Sequence, residues 1–137
     1  MSLKRKVLFL CTGNSCRSQM AEGFLRALGG DKWEAYSAGL DPRGVNPRAI
    51  EAMKEVGIDI SHQTSKGIDP RLIDEVDMVI TLCGSADEAC PVTPPHVRRI
   101  HWPLEDPARA TGTPGQVLNT FRRVRDEIRR RVEGLAT

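Results

Sequence analysis

Read for hydrophobic period alone, the chain alternates between two patterns. Val7-Leu8-Phe9-Leu10 is an unbroken apolar run, the pattern of a strand buried on both faces. From about Ser18, the residues Met20, Ala21, Phe24, Leu25 and Leu28 return at helical spacing and stop at Gly29-Gly30. Trp33 to Ala38 alternates as a second strand does, and Gly39 to Gly44 reads as a loop. Asn46 followed by Pro47 predicts a capped helix start, with Ala49, Ile50, Met53 and Val56 on one face before Gly57. Pro70 to Val76 predicts a short helix, Met78 to Leu82 a third strand, and Val97 to Trp102 a weaker fourth. From about Pro114, a stripe of Val117, Leu118, Phe121, Val124, Ile128 and Val132 predicts the last helix.

Strands that alternate with helices imply right-handed crossovers, hence the α/β class: a four-stranded parallel sheet flanked by helices on both faces. The chain has 137 residues and shows no repeat, low-complexity stretch or linker, so a single domain over 1–137 is expected. In such sheets ligands bind beyond the carboxyl ends of the strands. Cys11 follows the first strand and Cys83 the third, which places both on that edge.

Composition adds exclusions. With 39% hydrophobic residues and 12 glycines the chain can bury a core, and wholesale disorder is excluded. A net charge of +2 argues against bulk electrostatic binding to nucleic acid. The arginine-rich stretch from Arg122 to Arg131 reads instead as an ion-paired, solvated helix face, because Arg122–Asp126, Arg123–Glu127, Asp126–Arg130 and Glu127–Arg131 are all four apart. No run of ~18 apolar residues predicts a membrane span. The apolar run before Cys11 is too short for a signal-peptide core, so a cytoplasmic protein is expected. There the cysteines stay reduced, and a disulfide is more naturally a catalytic intermediate than a staple.

The sharpest chemical signal is Cys11-Thr12-Gly13-Asn14-Ser15-Cys16-Arg17-Ser18, set between a strand and a helix. Successive backbone N–H groups there can curl into an anion-holding nest at a helix N-terminus. Gly13 permits positive φ and close approach, and Asn14 tolerates the left-handed region. Arg17 offers a planar fork to two oxygens of a tetrahedral anion. The same field favours the thiolate of Cys11, to which Ser18 can donate. The nucleotide-binding pattern G-x-x-x-x-G-K-[ST] is absent.

The run from Val7 through Cys11-Thr12-Gly13-Asn14-Ser15-Cys16-Arg17-Ser18 to Gly23 resembles the thioredoxin-coupled arsenate reductases, which share the fold of the low-molecular-weight protein tyrosine phosphatases. The resemblance extends over the whole chain, through Ser37-Ala38-Gly39, Asp59-Ile60-Ser61, Cys83, Cys90 and Glu105-Asp106-Pro107. It implies that Cys11 attacks arsenate, with phosphate as a competing anion, and that no cofactor is needed. Cys83 then attacks Cys11 as arsenite leaves, and Cys90 attacks Cys83, giving a disulfide that thioredoxin reduces. It also implies that Asp106 is the general acid. Spacing bears on the relay separately: a seven-residue helical separation spans about 10 Å, whereas a disulfide needs Cα atoms within about 7 Å. Any helix between Cys83 and Cys90 must therefore unwind or loop out on oxidation.

Other groups read more plainly. Cys16 is expected to be a packed small side chain. His62, His96 and His101 carry no assigned chemistry, and no zinc spacing is completed, so no metal is expected. Some members of the resembled family hold potassium near residues matching Asn14, Glu22, Ser37 and Thr64, with an aspartate where Lys66 stands here. An ammonium at Lys66 is expected to pair with Glu22 and replace the cation. Two other readings stay open. One is a low-molecular-weight phosphatase that hydrolyses phosphomonoesters with Cys11, Arg17 and Asp106; Ala108 argues against it by removing an aromatic wall for a phenolic substrate. The other is a non-catalytic anion or redox sensor.

Overall fold

The computed structural model describes residues 4–82 and 93–136. Four strands, β1 (Arg5–Cys11), β2 (Trp33–Gly39), β3 (Met78–Thr81) and β4 (Arg98–His101), form one parallel sheet in the order β2-β1-β3-β4. Val7 to Cys11 and all of β3 are buried without interruption. Successive side chains of a strand point to opposite faces, so both faces of the sheet centre are covered, as the apolar run predicts. The edge strand β4 is only half-buried, which accounts for its weaker pattern.

The helices are α1 (Arg17–Gly29), α2 (Pro47–Lys54), α3 (Pro70–Glu75) and α4 (Pro114–Ala136), with a 3₁₀ turn at Pro107–Arg109. One local device starts several of them. In Asn46-Pro47, Asp69-Pro70 and Asp106-Pro107 the side-chain oxygen accepts the N–H two residues on, at 2.8, 3.0 and 3.0 Å. Proline supplies a fixed φ at a position that needs no N–H. Helix α4 begins with a reciprocal box: Gln116 N–H donates to Thr113 Oγ1, and Thr113 N–H donates to Gln116 Oε1. Helix α1 stops at Gly29, as the sequence predicts, and Gly30 after it keeps right-handed backbone at φ −64°.

The predicted stripe of α4 is buried at Val117, Phe121, Val124, Ile128 and Val132, and the helix packs on α1 and α2. Its arginines depart from the expectation. Of the four predicted pairs, only Glu127–Arg131 forms among the described residues, at 3.1 Å. Arg122 instead grips Glu55, the cap residue just past α2, with two nitrogens (2.6 and 2.9 Å), and Arg123 reaches Glu105. Arg125 is buried, donating to Ala52 O and Glu55 Oε1 at 2.9 Å each. A helix lying across α2 offers these long side chains carboxylates with fork geometry, which outcompete neighbours on their own face.

The Arg122 and Arg125 hydrogen bonds hold the Glu55 carboxyl down at about 2. A depressed folded-state pKa contributes stability above the unfolded value that is lost as pH falls through the folded one. Glu55→Gln should therefore show a smaller fall in urea midpoint than the unaltered protein between about pH 4.5 and 2.

Candidate active site

Strand register brings the chemistry to one edge. Cys11 closes β1 opposite Gly39 of β2, and Leu82 N–H donates to Leu10 O at 2.8 Å. The chain just before Cys83 thus runs beside the residue that precedes Cys11. Cys83 and Cys90 themselves lie outside the described residues.

The loop after Cys11 is shaped from outside. Its carbonyls are taken in turn: Cys11 O by Leu40 N–H, Thr12 O by Asp41 N–H, Gly13 O by Arg43 N–H, and Ser15 O by Asn46 N–H (3.3, 2.8, 3.0 and 3.0 Å). Asn14 O accepts from Gln19 Nε2 at 3.0 Å. In a planar trans peptide the N–H points opposite the C=O. With the carbonyls drawn outward, the amides turn inward, and none of those of residues 13–18 donates among the described hydrogen bonds. Helix α1 also starts without a side-chain cap, so its first N–H groups share that opening.

Asn14, not Gly13, takes the left-handed backbone, at φ 46°. This is the left-handed region that asparagine was expected to tolerate, and Gly13 does not use the positive φ open to it. Asn14 Nδ2 donates to Ser18 Oγ at 2.8 Å, and Asn14 Oδ1 accepts Lys66 N–H at 2.8 Å. Ser18 Oγ, already accepting, is left with its own proton to donate to Cys11 Sγ, 2.8 Å away. The side chains of Asn14 and Ser18 are fully buried behind the loop, so they support the cradle rather than line it.

Glycine is required at Gly39. A Cβ there would stand 2.6 Å from Asn14 N and 2.8 Å from Thr12 O, both backbone atoms. Gly39→Ala should cost about 1–3 kcal/mol in urea unfolding and weaken phosphate binding, because the loop must move to admit the methyl.

A cavity of about 420 Å³ opens on this loop, walled by Cys11, Thr12, Gly13, Ser15, Cys16 and Arg17 together with Arg43, Asp106, Ala108 and Arg109. Arg17 is 6% exposed. One terminal nitrogen donates to Leu104 O at 3.0 Å, the other lies 3.8 Å from Asp106, and Nε has no hydrogen-bond partner among the described residues. A buried unpaired donor costs about 1–3 kcal/mol, which an oxyanion would relieve. Asp106 caps the 3₁₀ turn and also faces the cavity, so the Asp-Pro turn and the acid role are compatible. Burial pushes the Cys16 thiol up to about 12, which keeps it protonated beside Cys11 and agrees with its reading as packing. Arg43 and Arg109 were not singled out by the sequence, which holds no local signal for two charges brought together at the mouth.

Behind the loop, Glu22 is buried and takes its ion pair from Arg26 (3.2 Å) and a hydrogen bond from Ser37 (2.7 Å). Lys66 instead donates to Thr64 O, correcting the expected direct pair with Glu22. Burial lowers the pKa of its ammonium while the charge of Glu22 opposes the shift. Thr64 O also accepts from Gln19 Nε2, so these oxygens are satisfied by protein donors. Among the described residues no three His, Cys, Asp or Glu side chains converge to hold a metal, and no helix is long and apolar enough to cross a membrane.

This geometry has close counterparts. The sequence of an arsenate reductase from Bacillus subtilis is 57% identical over 130 residues, covering 95% of this chain and 94% of the relative. A solved structure described as an arsenate reductase in the phosphate binding state superposes with a TM-score of 0.79 at 46% identity, covering 96% of both chains. A thioredoxin-dependent arsenate reductase from Corynebacterium glutamicum superposes at 0.79 with 29% identity, covering 98% of this chain and 61% of that longer one. The profile of one family, low molecular weight phosphotyrosine protein phosphatase, matches residues 6–137. An amide-lined loop between β1 and α1, closed by a buried arginine over a cysteine, thus comes with agreement along nearly the whole sequence: the chain belongs to the low molecular weight phosphotyrosine protein phosphatase family.

Proposed function

We propose that this protein reduces arsenate to arsenite by a cysteine relay that a dithiol protein of the thioredoxin type recharges. The observation that carries the oxyanion site is the buried guanidinium of Arg17, its Nε unpaired among the described residues, closing a ring of inward amides in front of Cys11. Relatives that bear the name arsenate reductase at more than half identity support the choice of anion.

Arsenate and phosphate have nearly the same shape and charge, so the cradle alone cannot choose between them. The chemistry after binding does. Cys11 sulfur attacks arsenic, and Asp106 gives a proton to the departing oxygen, which leaves as water. Ser18 and the amides hold the developing charges. Cys83 sulfur then attacks Cys11 sulfur. The S–S bond forms as the As–S bond breaks, and the bond pair stays on arsenic, taking it from As(V) to As(III). Cys90 next attacks Cys83 and returns Cys11 as a thiolate. The Cys83–Cys90 disulfide receives two electrons from the partner dithiol. A phosphoryl-cysteine has no such exit and waits for water, so slow hydrolysis of phosphomonoesters by Cys11, Arg17 and Asp106 is a by-product of the same loop. Ala108, on the cavity wall, gives a phenolic ring nothing to stack on.

The test is NADPH oxidation with arsenate, thioredoxin and thioredoxin reductase. Multiple turnovers that stop when any component is omitted are expected. Oxidation of the protein without repeated turnover would mark a sensor instead.

A further inference from the structure

Two arginines that the reaction above does not use share the cavity with Cys11. Arg43 is anchored through its N–H to Gly13 O at 3.0 Å, and its stem lies over the loop, with Cδ 3.6 Å from where a Gly13 Cβ would stand. Its exposed guanidinium is balanced by the exposed Asp41 carboxylate at 3.1 Å. Arg109, three residues past Asp106, also lines the cavity and is exposed, with no ion-pair partner among the described residues. Deeper in, Arg17 and Asp106 face each other at 3.8 Å and partly offset one another. Among the described residues the mouth therefore carries surplus positive charge.

Substrate and product differ in the property this charge senses. Arsenate is an anion at neutral pH, whereas arsenite is an uncharged acid. A cation at the mouth draws in the first and has no hold on the second. We infer that Arg109, assisted by Arg43, is a recruiting cation that concentrates small oxyanions at the mouth of the Cys11 site. The inference rests on the oxyanion reading of the cavity and assigns the charge that fills it. A unit charge acting through a few ångströms of water changes the local concentration of a monoanion by roughly threefold, and more for a dianion.

The experiment compares alkylation of Cys11 in the reduced protein by iodoacetate, an anion, and by iodoacetamide, a neutral reagent of similar size. The modified peptide is followed by mass, with fragment ions to separate Cys11 from Cys16. Arg109→Gln should slow iodoacetate roughly threefold and leave iodoacetamide unchanged. Arg109→Lys should restore the rate, and Asp41→Asn, which frees Arg43, should raise it for iodoacetate alone. About 0.5 M salt should erase these differences. Equal slowing by both reagents would reveal a packing role and overturn the inference, as would an iodoacetate rate untouched by Arg109→Gln. No arsenate or thioredoxin is present, so this result and the test of arsenate turnover fail independently.

Discussion

Arg17→Lys should lower kcat/KM for arsenate and for a phosphate ester together, by about 10²- to 10³-fold, the usual loss when one preorganised donor to a developing oxyanion is removed. Lysine keeps the charge but not the fork. It cannot hold Leu104 O, face Asp106 and still direct nitrogens at the anion, as the guanidinium does from its buried position. Leu104 and Asp106 belong to one loop, tied a second time by Arg123 to Glu105, so the substitution also loosens the acid. Parallel losses in the coupled arsenate assay and in p-nitrophenyl phosphate hydrolysis are expected. A loss below tenfold in both would mean that the amides bind the anion without the arginine.

Cys83→Ser should separate those two activities. Hydrolysis of the ester needs only Cys11, Arg17 and Asp106, and should stay within a few-fold of the unaltered protein. Arsenate turnover should fall to background, because in the proposed relay it is Cys83 that takes the Cys11 sulfur from arsenic. Cys16, although near, stays protonated: burial holds its thiol at about 12. A thiol, unlike a thiolate, is a poor nucleophile. Arsenate turnover surviving in Cys83→Ser would remove the relay as proposed.

Much of this was legible before any coordinates, for reasons that differ by residue. The Val7–Leu10 run declares a doubly covered strand because burial on both faces leaves no alternation to hide it. Asn46-Pro47 declares a helix start because cap and proline act within three residues. Cys11, Arg17 and Ser18 are close in sequence, so their meeting follows from a strand turning into a helix. What escaped was non-local. Whether Gly13 or Asn14 takes the left-handed backbone depends on the 39–46 and 64–66 segments that pull the loop carbonyls outward. The α4 arginines choose partners just past α2 and beside Asp106 that spacing along one helix cannot reveal. Arg43 and Arg109 are 66 positions apart, and only the closed sheet edge sets them at one mouth.

In the proposed relay this chain's own sulfurs reduce arsenic, and a single turnover tests that step. Reduced protein, freed of added thiol, is mixed with excess arsenate and no reductant. Arsenite released is then counted, and disulfides are mapped by peptide mass. About one arsenite per chain and a Cys83–Cys90 disulfide are expected, with Cys11 still alkylatable. Arsenite released with both Cys83 and Cys90 still free, or a reduced protein that forms no arsenite at all, would contradict the relay.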